Sequence, residues 1–121
     1  MSTILIVEDH ELTRKTLNRR LSKAGHSVIE AFNGNSGIEM LQSNSVDLVL
    51  IDFMMKHMNG MQTFERMREV KPEVPCAMIT AYAHSGLTKQ FIAEGGVDFM
   101  VKPIGDDLEK RVDAMLAKAG T

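Results

Sequence analysis

Five short apolar runs alternate along the chain with longer segments that carry apolar residues at helical spacing. The runs are Thr3–Val7, Ser27–Ala31, Leu48–Ile51, Cys76–Thr80 and Val97–Val101. The first, third and fourth runs are almost continuously apolar, which is typical of strands covered on both faces. The second run contains Glu30 and the fifth contains Asp98, so these two strands are predicted to lie at the edges of a sheet.

Three stripes of apolar residues repeat every few positions and predict amphipathic helices. They consist of Leu12, Leu17, Leu21 and Ala24; of Met61, Phe64, Met67 and Val70; and of Leu108, Val112, Met115 and Leu116. The first helix should end at Gly25, and the last should begin near Asp106 or Asp107. The segment between the second and third runs carries Gly34 and Gly37, so its helix should be intrinsically weak.

Strands and helices that alternate at this spacing predict an α/β fold, in which helices cover both faces of a five-stranded parallel sheet. A length of 121 residues suits a single domain over residues 1–121. The chain is 44% hydrophobic and 25% charged, which is ordinary for a globular protein and shows no linker or repeat.

Charge and cysteine content exclude several classes of protein. A net charge of −2 gives no overall field that would attract nucleic acid or anionic membranes. Five basic residues of the first helix are interpreted as a solvated face: Arg14, Lys15, Arg19, Arg20 and Lys23. The single cysteine, Cys76, excludes an internal disulfide and is predicted to be a buried, inert thiol. No apolar run is long enough to span a membrane, so we expect a cytoplasmic protein.

Polar residues follow four of the predicted strands. The first strand is followed by Glu8 and Asp9, the third by Asp52 and the fifth by Lys102, while the fourth ends in Thr80. Because ligands of open α/β sheets bind beyond the carboxyl ends of the strands, we expect these side chains to lie together.

The chemistry of this set points to phosphoryl transfer. Three neighbouring carboxylates would repel one another and raise their pKa values unless a cation lay among them. Oxygen ligands favour a hard divalent ion, and a site completed by water suits Mg²⁺. A phosphoryl group could then bind between the metal and Lys102 and accept a hydrogen bond from Thr80.

These residues, in this order and spacing, resemble the receiver domain of response regulators in two-component signalling, in particular the single-domain, chemotaxis-regulator type. The matching features span essentially the whole chain: Glu8-Asp9, Asp52 followed by Met55 and Gly60, Thr80-Ala81, and Gly95 through Asp98-Phe99 to Lys102-Pro103. The resemblance implies a flavodoxin-like doubly wound sheet with strand order 2-1-3-4-5. It also makes the Lys102-Pro103 bond a candidate cis peptide.

The resemblance further implies a role for each residue of the site. Asp52 would accept a phosphoryl group from a histidine kinase or a histidine phosphotransfer protein and thereby switch a protein-interaction surface. The implied magnesium ligands are the side chains of Glu8, Asp9 and Asp52 and the backbone carbonyl of Met54. Lys102 would pair with the phosphoryl group, Thr80 would move to bind it, and Phe99 would turn inward in response. Apart from this self-catalysed phosphorylation and dephosphorylation, no enzyme activity is expected.

Two positions are predicted to control dephosphorylation. Met54 and Tyr82 stand two residues after Asp52 and Thr80, where receivers flank the path of the hydrolytic water. A thioether orients water poorly and a bulky ring obstructs it, so we predict a long-lived phosphorylated state.

The chain departs from the family pattern at two further positions. Lys56 stands where receivers usually carry proline, so the loop loses a fixed φ and gains a cation near an acidic pocket. We predict that Lys56 loosens this loop and slightly weakens Mg²⁺ binding. Phe91 replaces a small residue on the helix before the fifth strand and is expected to change packing there.

Other interpretations of the same residues are less favoured. Met55, Met58 and Met61 lie near His57 and resemble a soft-metal site for Cu(I), although packing is the favoured interpretation. A flavodoxin-like nucleotide binder would need a phosphate loop where Glu8 and its acidic neighbours stand. An aspartyl phosphatase would need a second aspartate at the position of Met54.

The output of the domain also remains open. The chain could act alone through an output protein, or be the receiver of a longer DNA-binding transcriptional regulator or hybrid kinase. We expect no direct binding of this domain to nucleic acid or membrane. Dimerisation on phosphorylation is a further alternative that the sequence leaves open.

Overall fold

The computed structural model describes residues 2–81 and 85–119, which form five strands and five helices in strict alternation. The strands are β1 (Thr3–Val7), β2 (Ser27–Ala31), β3 (Leu48–Asp52), β4 (Cys76–Thr80) and β5 (Asp98–Val101). The helices are α1 (Glu11–Lys23), α2 (Gly34–Ser43), α3 (Gly60–Val70), α4 (Ser85–Ala93) and α5 (Leu108–Ala119). The strands pair in parallel in the order β2-β1-β3-β4-β5, which confirms the predicted topology and both edge strands.

Side chains that alternate along the central strands face two separate cores. On β1, Leu5 and Val7 face a core that is completed by α2, α3 and α4. Ile4 and Ile6 face the opposite core, which is completed by α1 and α5. The central strands are therefore buried on both faces, which explains their nearly continuous apolar sequence.

Helix α1 departs from the predicted apolar stripe at its first turn. Leu17 and Leu21 are buried, but Leu12 is 71% exposed. At 100° per residue, Leu12 lies about 140° around the helix from Leu17, so it cannot share the face that packs on the sheet. Ala24 is the C-cap rather than a core residue, and the helix is followed by Gly25 with a φ of 100°.

The two glycines of α2 permit close packing instead of merely weakening the helix. A β-carbon at position 37 would lie 2.8 Å from Val7 Cγ2, and one at position 34 would lie 2.8 Å from Met58 Sδ. These distances are too short for side chains, so α2 packs against β1 and the loop before α3 because Gly34 and Gly37 have none.

Phe91 on α4 fills a space next to β5. It is fully buried, and its ring centroid lies 4.7 Å from that of Phe64 and 6.4 Å from that of Phe99, both in edge-to-face geometry. A β-carbon at Gly96 would lie within 2.5 Å of the Phe91 ring. The expected change in packing is therefore accommodated by the absence of a side chain at position 96.

The remaining predictions about individual side chains have mixed outcomes. Arg14 and Lys15 pair with Glu30, and Arg20 pairs with Glu109. The side chains of Arg14 and Arg20 are largely covered, so the prediction of a solvated basic face is wrong for these two residues, whereas Lys15 is exposed. Cys76 is buried, and burial raises the pKa of its thiol to about 12, as an inert thiol requires.

The methionines of the alternative soft-metal site pack as hydrophobic side chains. Met61 is buried in the core formed with α2, α3 and α4, and Met55 and Met58 are packed against that core. Their thioethers therefore have the packing role that the sequence favours. None of the helices in the described ranges has the length and apolar character that crossing a bilayer requires.

Candidate functional site

Three carboxylates meet beyond the carboxyl ends of β1 and β3. Glu8 and Asp9 directly follow β1, and Asp52 is the last residue of β3. One oxygen from each of the three carboxylates lies within 4.8 Å of the other two. Glu8 and Asp52 are buried and Asp9 is half-buried, so the cluster opens to solvent on the Asp9 side. The structure thus brings together the acidic residues that the sequence predicted to be neighbours.

Lys102 connects this cluster to the far edge of the sheet. Its Nζ lies 2.6 Å from Glu8 Oε1 and 3.4 Å from Asp52 Oδ2. Its backbone N–H donates to the carbonyl of Thr80 at 2.7 Å, and its bond to Pro103 is cis, as predicted. Burial disfavours the ammonium ion, but the hydrogen bond to Glu8 and the charge of Asp52 outweigh it and raise the pKa of Lys102.

Asp52 is an unusually basic carboxylate in this setting. Burial, followed by the hydrogen bond and negative charge of Glu8, raises the pKa of Asp52 to about 7. Lys102 and the backbone N–H of Met54, which donates to Asp52 Oδ1 at 3.3 Å, act in the opposite direction. Burial and the neighbouring Glu8 therefore outweigh the single nearby ammonium in setting the pKa of Asp52.

The donor set fits a hard divalent cation. All three side chains offer carboxylate oxygens, which Mg²⁺ prefers, and the repulsion that raises the pKa of Asp52 is what such a cation would relieve. Glu8 is already engaged at both oxygens, by Lys102 at 2.6 Å and by the backbone N–H of His10 at 3.2 Å. Because the ammonium of Lys102 lies closer to Glu8 than to Asp52, at 2.6 Å against 3.4 Å, a metal would compete with it more strongly at Glu8 than at Asp52. The carbonyl of Met54 remains a predicted ligand.

The other predicted site residues have different environments. Thr80 ends β4 and is fully buried, and Phe99 is half-buried on β5 against Phe91. The side chain of Met54 is 59% exposed in the loop after β3. Tyr82, the second residue predicted to control dephosphorylation, lies outside the described residues.

Several backbone contacts of the site escaped prediction. The carbonyl of Glu8 accepts a hydrogen bond from Arg14 Nη1 at 2.9 Å, and Asp9 Oδ2 accepts one from the Lys56 N–H at 3.2 Å. His57 has a φ of 69°, which is unusual for a residue with a side chain. The residue types do not predict these contacts, because each contact depends on where the main chain runs in the folded protein.

Comparison with known proteins identifies relatives of this chain. A family model described as "Response regulator receiver domain" matches residues 4–113. A cyclic di-GMP phosphodiesterase of Thermotoga maritima is 34% identical over 106 residues, or 88% of this chain and 28% of that protein. The transcriptional regulatory protein GlrR of Escherichia coli is 32% identical over 117 residues, or 96% of this chain and 26% of that protein. The chain thus spans about a quarter of the length of these relatives.

Solved structures share the whole fold. A CheY-like response regulator receiver domain protein from Methanospirillum hungatei superposes with a TM-score of 0.94 at 22% identity, covering 99% of this chain and 97% of that one. The response regulator TrrA of Thermotoga maritima, in complex with Mg(2+)-BeF, superposes with a TM-score of 0.85 at 26% identity. That match covers 95% of this chain and 99% of TrrA.

Proposed function

The chain belongs to the response regulator receiver domain family of two-component signalling, and we propose that Asp52 is its phosphoacceptor. Domains of this family are signalling modules that interact with histidine kinases or phosphotransfer proteins. The observation that carries the proposal is the position of Asp52: it ends the central strand β3, among Glu8 and Asp9 and 3.4 Å from the ammonium of Lys102. We propose residues 1–121 as the receiver unit.

The proposed reaction is a transfer between two nucleophiles. An oxygen of Asp52 attacks phosphorus in the phosphohistidine of the donor protein, and the new O–P bond forms as the N–P bond breaks. The imidazole leaves and Asp52 becomes an acyl phosphate. In the metal-free site, the raised pKa of Asp52 favours the protonated carboxyl group, which is a poor nucleophile. A cation bound beside Asp52 would lower this pKa and thereby favour the reactive carboxylate.

Each neighbour of Asp52 has a separate task in this proposal. Lys102 already bridges Glu8 and Asp52, and its ammonium would move to the phosphoryl oxygens. Thr80 would donate its hydroxyl to the same group, which requires this buried side chain to move. Phe99 lies on β5, next to the strand that ends in Thr80, and would turn inward when Thr80 moves.

Mg²⁺ is the proposed cofactor. Asp9 and Asp52 would hold it with Glu8 nearby and the Met54 carbonyl as an additional ligand, and the ion would neutralise charge on the transferring group. TrrA, which shares the fold at 26% identity, was solved in complex with Mg(2+)-BeF, and this supports a magnesium site in the same place.

Incubation with acetyl phosphate and Mg²⁺ tests the proposal. Intact-mass measurement is expected to show one phosphoryl adduct on the wild type and none on Asp52→Asn. Glu39→Gln, which removes an exposed carboxylate of α2, is the matched control and should be labelled like the wild type. Labelling of Asp52→Asn, or no labelling of the wild type, would refute the proposed phosphoacceptor.

We predict that the phosphorylated state is long-lived because Met54 offers no hydrogen bond to the hydrolytic water. Met54→Asn supplies an amide at this exposed position and should shorten the lifetime by about tenfold, which is the effect of one well-placed hydrogen bond. Met54→Leu keeps the apolar character and should leave the lifetime unchanged. The measurement follows loss of the adduct by mass spectrometry, and rapid loss from the wild type with Mg²⁺ would contradict the prediction.

The relatives of this chain support a general proposal for the output of the domain. GlrR, of which this chain spans 26%, is a transcriptional regulatory protein. We propose that phosphorylation of this chain alters a surface to which a second domain or an output protein binds.

A further inference from the structure

We propose that the backbone amide of Lys56 is a positioning group that supports Mg²⁺ binding by holding the carboxylate of Asp9. This inference rests on the magnesium-dependent function proposed above. It starts from one contact, in which the Lys56 N–H donates to Asp9 Oδ2 at 3.2 Å. The contact joins the loop after β3 to the loop after β1 across 47 positions of sequence.

The hydrogen bond belongs to a pattern that includes all three carboxylates. Glu8 accepts from the N–H of His10 at 3.2 Å, Asp52 from the N–H of Met54 at 3.3 Å, and Asp9 from the N–H of Lys56. Two of these three donors are alternate residues of one loop. The loop after β3 therefore aims its amides at the site, and each acidic side chain is oriented by one of the main-chain donors.

Two main-chain hydrogen bonds within the loop after β3 fix its geometry. The Met58 N–H donates to the carbonyl of Lys56 at 2.8 Å, and His57 between them has a φ of 69°. This combination is a γ-turn. The Gly60 N–H donates to the carbonyl of Phe53 at 2.9 Å and closes the loop at its base. Because these are main-chain contacts, the direction of the Lys56 amide depends on no side-chain rotamer.

Holding Asp9 in this way leaves it able to bind a cation. A carboxylate has two oxygens with about four lone-pair positions, and the Lys56 amide uses only Oδ2. Hydrogen bonds to ligating carboxylates fix their orientation and raise metal affinity. Asp9 is the least buried of the three carboxylates, so it has the most freedom to lose when the metal binds.

Lys56 then has two opposing effects on Mg²⁺ affinity. Its exposed ammonium adds positive charge near the acidic cluster, whereas its amide orients Asp9. The sequence alone predicts a net weakening by Lys56, because only the ammonium and the lost proline are visible there. The hydrogen bond shows that the amide is a separate contribution, which a side-chain substitution leaves in place.

The test compares two forms of the full chain that differ in one backbone atom. Lys56→Ala keeps the N–H, and its ester analogue, with the α-hydroxy acid of alanine at position 56, replaces that N–H by oxygen. In calorimetric titration with magnesium chloride, the ester is expected to bind Mg²⁺ about three- to tenfold more weakly than Lys56→Ala. Lys56→Pro should also bind more weakly than Lys56→Ala, but it restricts residue 55 as well, so the ester comparison decides.

Two controls separate positioning from folding. Urea unfolding of both forms without Mg²⁺ shows whether the ester remains folded. In ¹⁵N spectra of the wild type, the Lys56 amide should stay protected from solvent exchange at saturating Mg²⁺. Equal affinities of Lys56→Ala and its ester, or release of this amide to solvent when Mg²⁺ binds, would overturn the positioning role while leaving Asp52 as phosphoacceptor. Absence of Mg²⁺ binding by the wild type would overturn both proposals.

Discussion

Asp52→Asn is expected to stabilise the magnesium-free protein by about 4 kcal/mol at about pH 8, although it removes the proposed phosphoacceptor. In the folded protein, burial and Glu8 raise the pKa of Asp52 from its ordinary value of 3.8 to about 7. Between these values the folded chain holds a proton that the unfolded chain has lost. Stability therefore falls as pH rises through this window, and the loss is complete above the folded pKa.

The pH dependence distinguishes this effect from a general change in packing. Urea unfolding without Mg²⁺ should show a small difference between wild type and Asp52→Asn at about pH 4, and the full difference at about pH 8. Glu39→Gln changes the net charge equally at an exposed site and should follow the wild type. Saturating Mg²⁺ should stabilise the wild type more than Asp52→Asn. A difference that is independent of pH would contradict the explanation.

Gly96→Ala is expected to destabilise the protein by about 3 kcal/mol, because its β-carbon would overlap the ring of Phe91. That ring is fully buried and rests edge-on against Phe64 at a centroid distance of 4.7 Å, so it has no room to retreat. The free energy of unfolding in urea measures the cost. Gly105→Ala is the matched control, because its β-carbon would approach only Asp107 Oδ1, at 3.3 Å.

A second background identifies the source of this cost. In Phe91→Ala the ring is absent, and adding Gly96→Ala should then cost less than about 1 kcal/mol. The double-mutant cycle should therefore yield a coupling of about 2 kcal/mol between the two positions. The same cost in both backgrounds would show that backbone conformation, rather than the ring, forbids a side chain at position 96.

The fold could be predicted from the sequence because its strands coincide with short apolar runs that alternate with helical patterns. Three of the five strands begin and end where the apolar runs do, and β3 differs only by including Asp52. The predicted apolar stripe on α1 is wrong at Leu12, because a spacing of five residues from Leu17 places Leu12 on another face of the helix. The apolar and basic pattern of α1 does not show the ion pairs of Arg14 and Arg20, because Glu30 and Glu109 lie on other elements of the structure.

The site was predictable in its residues but not in its contacts. Because parallel strands end at one edge, the positions of Glu8, Asp9, Asp52 and Lys102 in the sequence suffice to place them together. The ion pair between Glu8 and Lys102 is not visible in the sequence, because the resemblance implies a metal ligand in Glu8 and a partner of the phosphoryl group in Lys102. The amide contact to Asp9 was beyond prediction, because every residue except proline carries the same N–H.

The inclusion of Asp52 in β3 has a consequence for engineering new signalling connections. The residue after it, Phe53, donates its N–H to the carbonyl of Ile79 at 2.9 Å, so the hydrogen-bonding ladder continues past the acidic side chain. Asp52 is therefore mounted on the rigid centre of the sheet, whereas Leu12 and other exposed side chains lie on replaceable surface. We therefore expect exchanges at exposed side chains such as Leu12 to leave the geometry around Asp52 unchanged.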